Sequence, residues 1–356
     1  MIRPKEQLRG IHRTPPPAGS RLDTIRLDKN EFLPCWPEDW FQEFISTVRP
    51  EHFSIHPETG TLYEKLAKHL GLPKEQILIT AGSDAAIRSA YETFVSPGDE
   101  VVVPNPTFAM YEVYAKVFGA HLVTVDYDTD LKLPVERLLT AIGQNTKLVA
   151  IANANSPTGT VFSREELKSV ISHASSLGAA VLIDEAYYPF HPESMLELVK
   201  ESDNLIVTRT FSKAAGVAGM RIGYAASSVE IAPLLFAVKP MYEITTVSAL
   251  LGEYILDHCE RIDAYAADVR AGRQWLSEFF RKQGFHVPES HANFIHVDFG
   301  SRKEAIVAAL IKNNVLFKES FDHPALSRYS RFTVGPRPFM ENFADLFSSA
   351  IGEEPS

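Results

Sequence analysis

The sequence predicts an α/β protein built on a mostly parallel, doubly wound sheet in a large domain, with a smaller α/β domain toward the C-terminus. Three observations carry this prediction. From about residue 60, short apolar, β-branched runs at 76–80, 100–103, 121–125, 147–152, 179–184 and 204–209 alternate with helix-like stretches at 84–94, 107–118 and 164–176. Such alternation is the pattern of βαβ units, in which each crossover helix covers the sheet. Residues able to do chemistry then collect just after the apolar runs, at the strand ends where ligands sit in sheets of this kind. After residue 240 the pattern changes to a long helical period from about 245 to 283, followed by strand-like runs at 293–298 and 331–334.

Taken in chain order, residues 1–26 hold four prolines, among them Pro15, Pro16 and Pro17, and show no sustained period. They read as an extended arm without a core of its own, bounded at 1–35, whose order depends on what it packs against. Residues 36–244 form the large domain. Residues 245–356 form the small one, entered through the helix at 245–283.

A chain of 356 residues is long for a single core and suits two domains. The formal net charge is −10 and no dense Lys/Arg run occurs, which argues against a nucleic-acid partner. Met1 to Arg13 lacks an apolar signal core, and no stretch approaches the roughly 18 apolar residues of a membrane span. Cys35 and Cys259 are far apart without metal-ligand spacing. They are expected to be free core thiols in a cytoplasmic protein that holds no metal.

Five segments carry candidate chemistry. Thr210-Phe211-Ser212-Lys213 follows a strand and precedes Arg221. A strand-end lysine with a lowered pKa is a nucleophilic amine, and two hydroxyls with an arginine suit a phosphate dianion. The strand ending Ile183-Asp184 places a carboxylate where burial demands a partner, with Tyr187 close behind; capping of a following helix is the alternative use. Gly82-Ser83-Asp84 lies between strand and helix, so its backbone N–H groups can meet an anion. Asn155-Ser156-Pro157-Thr158-Gly159 is a turn after another strand, and Phe108 follows a third. Taken singly each segment is common. No Gly-x-Gly-x-x-Gly follows an early strand, which argues against a nicotinamide dehydrogenase.

Together and in this order, the five segments resemble the pyridoxal 5′-phosphate (PLP)-dependent aminotransferases of class I/II, and within them the histidinol-phosphate aminotransferases. The likeness runs from about Leu27 to beyond Gly335. It implies the aspartate aminotransferase-like fold of PLP-dependent transferases. It also implies that Lys213 carries the cofactor as a Schiff base and later shuttles the proton. Asp184 is then the partner of the pyridine nitrogen, and Tyr187 the donor to the ring phenolate. Gly82, Ser83, Asp84, Thr210, Ser212 and Arg221 form the phosphate cup, and Phe108 stacks on the ring where the family usually has Tyr. Arg331 would hold the substrate's carboxylate or other anion, with Asn30 and Phe32 as further substrate contacts; Asn30 and Glu31 match the family's N-terminal signature. The implied assembly is a homodimer with shared active sites.

Three departures bear on anchoring. Ser156 stands where the family has Asn, which moves the phenolate contact toward Asn155. His56 stands where a Tyr reaches the neighbouring subunit's phosphate, and Lys318 where an Arg helps grip the substrate. Lysine cannot reproduce the bidentate fork of arginine. The expected activity is transamination between a small phosphorylated amine and a keto acid, with glutamate/2-oxoglutarate as the second pair. Alternatives on the same scaffold are decarboxylation of a phosphorylated amino acid, as in threonine-phosphate decarboxylase, and transamination of another phosphorylated or sugar-derived ketone. A non-enzymatic PLP-binding module would be expected to lack the Lys213–Asp184 pair.

Overall fold

The computed structural model describes residues 5–9, 11 and 20–352; the rest of the N-terminal arm lies outside them. Eleven strands are present among the described residues: β1 (Ile25–Leu27), β2 (Ile77–Thr80), β3 (Glu100–Asn105), β4 (His121–Asp126), β5 (Thr146–Ala152), β6 (Ala180–Asp184), β7 (Leu205–Thr210), β8 (Gly223–Ser227), β9 (Phe294–Val297), β10 (Val315–Phe317) and β11 (Ser330–Thr333). Seven of them make the main sheet in the order β2-β8-β7-β6-β5-β3-β4. Every pairing is parallel except those of β8, which runs against both β2 and β7. Two reversals restore direction, so β2 ends at the same edge as β5, β6 and β7.

The period of two along each strand divides the core. Val149, Ile151, Val181, Ile183, Leu205 and Val207 face one layer, which includes helices Gly60–Leu70, Arg164–Ser176 and Thr246–Asp257. Leu148, Ala150, Ala152, Ala180, Leu182 and Ile206 face the other, against helices Ser83–Phe94 and Met110–Phe118. Burial on both faces is why these strands read as continuous apolar runs. Asp184 and Thr208 continue the second set, so their side chains emerge on the face covered by those two helices.

The C-terminal part has a core of its own. Helices Cys259–Lys282 and Arg337–Ile351 pack Leu276, Phe280, Phe343 and Phe347 against β9 and β11. The single helical pattern at 245–283 is two helices, Thr246–Asp257 and Cys259–Lys282, parted at His258 (φ −129°, ψ 39°). β9 and β11 are antiparallel, β1 and β10 parallel, and a bridge between Lys318 and Arg331 joins the pairs. The end of the expected arm is therefore structured: β1 adds to this sheet, and Leu27 and Leu33 are fully buried beside Phe32. Its partner strand lies near the other end of the chain, beyond the reach of local pattern. Both cysteines are unpaired, but Cys35 is at the surface rather than in the core. No helix among the described residues is long and apolar enough to cross a membrane.

Candidate active site

The strand register assembles the site. Asp184 pairs with Thr208 on one side and Ala152 on the other, and Gly223 faces both Thr80 and Thr210. That brings the ends of β2, β5, β6 and β7 and the start of β8 to one edge. There a cavity of ≈350 Å³ is lined by Ser83, Asp84, Phe108, Ser156, Asp184, Tyr187, Thr210, Ser212, Lys213, Arg221 and Arg331, with Asp28, Lys29 and Asn30 across it. The volume lies in the range of small-ligand sites.

At its floor, Asp184 is buried. One carboxylate oxygen accepts from Thr208 Oγ1 at 3.0 Å and the other from Tyr111 OH at 3.3 Å. Burial raises its pKa to about 6, and the neutral hydroxyls offset that only in part. A carboxylate in this position is best matched by a cation presented from the cavity. Neither Tyr111 nor Thr208 was singled out by sequence. The first is the second residue of its helix, and the second is visible only once the β6–β7 register is known.

Lys213 lies in the turn after β7, half-buried, its Nζ donating to the Lys29 carbonyl at 2.9 Å. Its pKa is lowered, first by desolvation and then by the cationic Arg331 and Arg221, against an opposing effect of Tyr187. Tyr187 OH accepts from Asn30 Nδ2 at 2.9 Å. Asn30 holds a left-handed φ of 56° and is fixed by Thr333 and Asn293.

The opposite end is an anion cradle. Helix Ser83–Phe94 begins with no side-chain cap at Gly82, so its free N–H groups and positive dipole end face the cavity. Arg221 Nη2 donates to the Ala81 carbonyl at 3.2 Å, and Nη1 lies 3.4 Å from Ser212 Oγ, itself bonded to Thr210 Oγ1 at 2.9 Å. Gly82 makes this approach possible: its φ is +81°, and a Cβ there would stand 2.6 Å from Arg221 Nη2. Arg331 projects from β11 on the far wall, Nη2 donating to the Asp28 carbonyl at 2.8 Å.

Several expected site residues lie elsewhere. Asn155 is fully buried and spends its amide on Thr158 in its own turn and on Pro106 and Thr107 after β3, while Ser156 faces the cavity. Phe32 stacks on Tyr265 at 3.7 Å and fills the space over Gly216, a core role. Glu31 pairs with Arg21 and Arg26. Lys318 is exposed, its ammonium 5.7 Å from the Phe321 ring and outside the cavity lining. Its backbone pairs antiparallel with Arg331 and the two side chains approach the same Phe321 ring, with Lys318 on the solvent side of it. His56 is exposed and stacked on Tyr242 at 4.2 Å, also outside the cavity.

Comparison with known proteins places the fold in a family. Residues 23–347 match the family model described as aminotransferase class I and II. Histidinol-phosphate aminotransferase 1 of Carboxydothermus hydrogenoformans is 33% identical over 314 residues, covering 87% of this chain and 88% of the relative. The Symbiobacterium thermophilum histidinol-phosphate aminotransferase is 32% identical, covering 93% and 91%. The crystal structure of the Sinorhizobium meliloti histidinol-phosphate aminotransferase, in complex with pyridoxal 5′-phosphate, superposes with a TM-score of 0.81 at 25% identity over 92% of this chain and 91% of that one. A Thermus thermophilus aspartate aminotransferase mutant shares the fold, with a TM-score of 0.80 at 20% identity and coverage of 98% and 100%. With a lysine of lowered pKa, a buried carboxylate and an anion cradle meeting in one cavity, the chain belongs to the class I and II aminotransferases, a family of PLP-dependent enzymes.

Proposed function

We propose that the chain transfers the amino group of a small phosphorylated amine, histidinol phosphate being the leading substrate, with glutamate/2-oxoglutarate as the second pair. The observation that carries this reading is the placement of two separate anion-binding ends, Arg221 with the helix at Ser83 and Arg331 across from it, on either side of Lys213 and Asp184. One end takes the cofactor's phosphate and the other the substrate's anion. That the relatives are histidinol-phosphate aminotransferases supports the substrate class.

When bound, PLP supplies an electron sink for the pair left as the substrate's Cα–H bond breaks. This chain's residues do the rest. Asp184 holds a proton on the ring nitrogen. Its raised pKa reflects a desolvated carboxylate, and a charged ring nitrogen would bring it back into the ionised form. Lys213 anchors the cofactor. Once released by the amine, it takes the proton from substrate Cα and delivers it at the cofactor's carbon. Desolvation favours the neutral amine this requires. Tyr187 donates to the phenolate oxygen and Asn30 orients Tyr187. Thr210, Ser212, Arg221 and the N–H groups at Ser83 and Asp84 hold the phosphate, and Phe108 flanks the ring.

The working unit is a cytoplasmic homodimer. Phe53, Ile55, Met241 and Tyr242 are large apolar side chains left exposed around His56, a patch suited to burial against a second copy. His56 would then reach the partner's cavity, since it does not reach its own.

The test is the visible absorbance of the PLP-loaded protein during titration with histidinol phosphate and with glutamate. Bleaching by both, without carbon dioxide release, is expected. Carbon dioxide release would point to decarboxylation instead, and failure of both amines to change the spectrum would remove the substrate assignment. The cradle has its own test. Gly82→Ala should weaken PLP affinity about tenfold or more by displacing Arg221 and straining a positive φ. Equilibrium dialysis giving unchanged affinity would rule out the assigned phosphate site.

A further inference from the structure

The antiparallel register of β9 and β11 sets His296 directly opposite Arg331, so the two side chains share one face with Cβ atoms about 5 Å apart. His296 is fully buried and neither ring nitrogen has a hydrogen-bond partner. The Nε of Arg331 is buried and unpartnered as well. Both side chains stand between the same aromatic walls. Phe294 is 5.5 Å from the His296 ring and 5.1 Å from the Arg331 guanidinium, and Phe321 is 5.6 and 5.9 Å away.

A leucine would fill such a box without leaving polar atoms unmet, and a buried donor or acceptor without a partner is destabilising. The two side chains are complementary. A neutral imidazole has one acceptor nitrogen, and Arg331 Nε–H is a donor without an acceptor. Desolvation, with Arg331 adding to it, pushes the His296 pKa down to about 3, so the ring is neutral at any working pH and its acceptor is always present. Arg331 meanwhile spends one terminal nitrogen on the Asp28 carbonyl, a contact that an incoming anion competes with.

We propose that His296 is a positioning residue for Arg331: as a substrate anion draws the guanidinium from the Asp28 carbonyl, His296 accepts the Arg331 Nε–H and fixes the direction of the fork. Substrate grip then depends on a side chain that never touches substrate. The inference rests on Arg331 being the anion-binding residue, and the experiment separates the two claims.

Succinate and inorganic phosphate are titrated by calorimetry into PLP-loaded wild type, His296→Leu, His296→Gln and Arg331→Gln. His296→Leu should bind the preferred anion about tenfold more weakly, the loss expected for one hydrogen bond to a charged group. His296→Gln, which restores an acceptor, should recover most of that loss, with PLP affinity unchanged in both and the melting temperature of His296→Leu no lower than that of wild type. Wild-type affinity in His296→Leu beside a weakened Arg331→Gln would overturn this inference alone. Equal weakness in His296→Leu and His296→Gln would overturn it too, because packing would then be the cause. Wild type that binds neither anion, or Arg331→Gln that binds like wild type, would remove the Arg331 reading and this inference with it.

Discussion

Lys213→Ala is expected to lower the rate of transamination by about 10⁴-fold or more while the protein remains folded and still takes up PLP. Two roles are lost together: the covalent anchor, and the base that moves the proton between substrate and cofactor. The fold should survive because Lys213 is half-buried in a turn and its ammonium makes one hydrogen bond, to the Lys29 carbonyl. The phosphate cradle is built from other residues, Gly82, Ser212 and Arg221 among them, so cofactor should still bind, more weakly. A small primary amine added to the variant can enter the space the side chain leaves, and partial recovery of turnover is expected. Single-turnover absorbance measurements with glutamate decide the matter. A variant turning over within tenfold of wild type would show that another group is the base.

The residues of this chemistry are legible in sequence because Asp184 ends β6, Ser83 and Lys213 follow β2 and β7, and Arg221 leads into antiparallel β8, all at the one edge where the parallel strands end. Lys213, Asp184, Arg221 and Ser83 meet there for that reason. What was not legible depends on contacts made across long stretches of chain. β8 has only small side chains apart from Tyr224, and the sequence does not advertise it as a strand. The structure explains one of them: a Cβ on Gly223 would meet the Gly82 backbone at 2.4 Å. β1 and β10 are three residues each and exist only by pairing with one another. Asn155 and Ser156 exchange places relative to the expectation because Thr158 in the turn and Pro106 from the segment after β3 use up the Asn155 amide. Phe32 falls in the core because its partner, Tyr265, sits on a helix far along the chain. His56 has no function visible within one subunit.

Asp184→Asn is the second large effect, and it separates stability from activity. In the cofactor-free protein, burial raises the folded-state pKa of Asp184 to about 6 from the ordinary 3.8. Between those values the native state binds a proton that the unfolded chain has released, so stability falls as pH rises from about 4 to 6 and stays lower above that interval. At 1.36 kcal/mol per pH unit, the ionised carboxylate costs about 3 kcal/mol at neutral pH. Asparagine carries no charge and can exchange hydrogen bonds with Thr208 and Tyr111. Cofactor-free Asp184→Asn should therefore melt higher than cofactor-free wild type above pH 6 and lack its decline between pH 4 and 6. The same variant should lose about 10³-fold in kcat, because nothing then holds the proton on the ring nitrogen. PLP should abolish the pH-dependent decline in wild type by presenting a positive charge to the carboxylate. The two measurements, melting temperature against pH with and without PLP and kcat at neutral pH, test one physical claim. The carboxylate is retained at a cost to the empty protein because the loaded one needs a buried negative charge at that point. A wild-type melting profile that is flat from pH 4 to 7 without PLP, or a variant with near-wild-type kcat, would count against it.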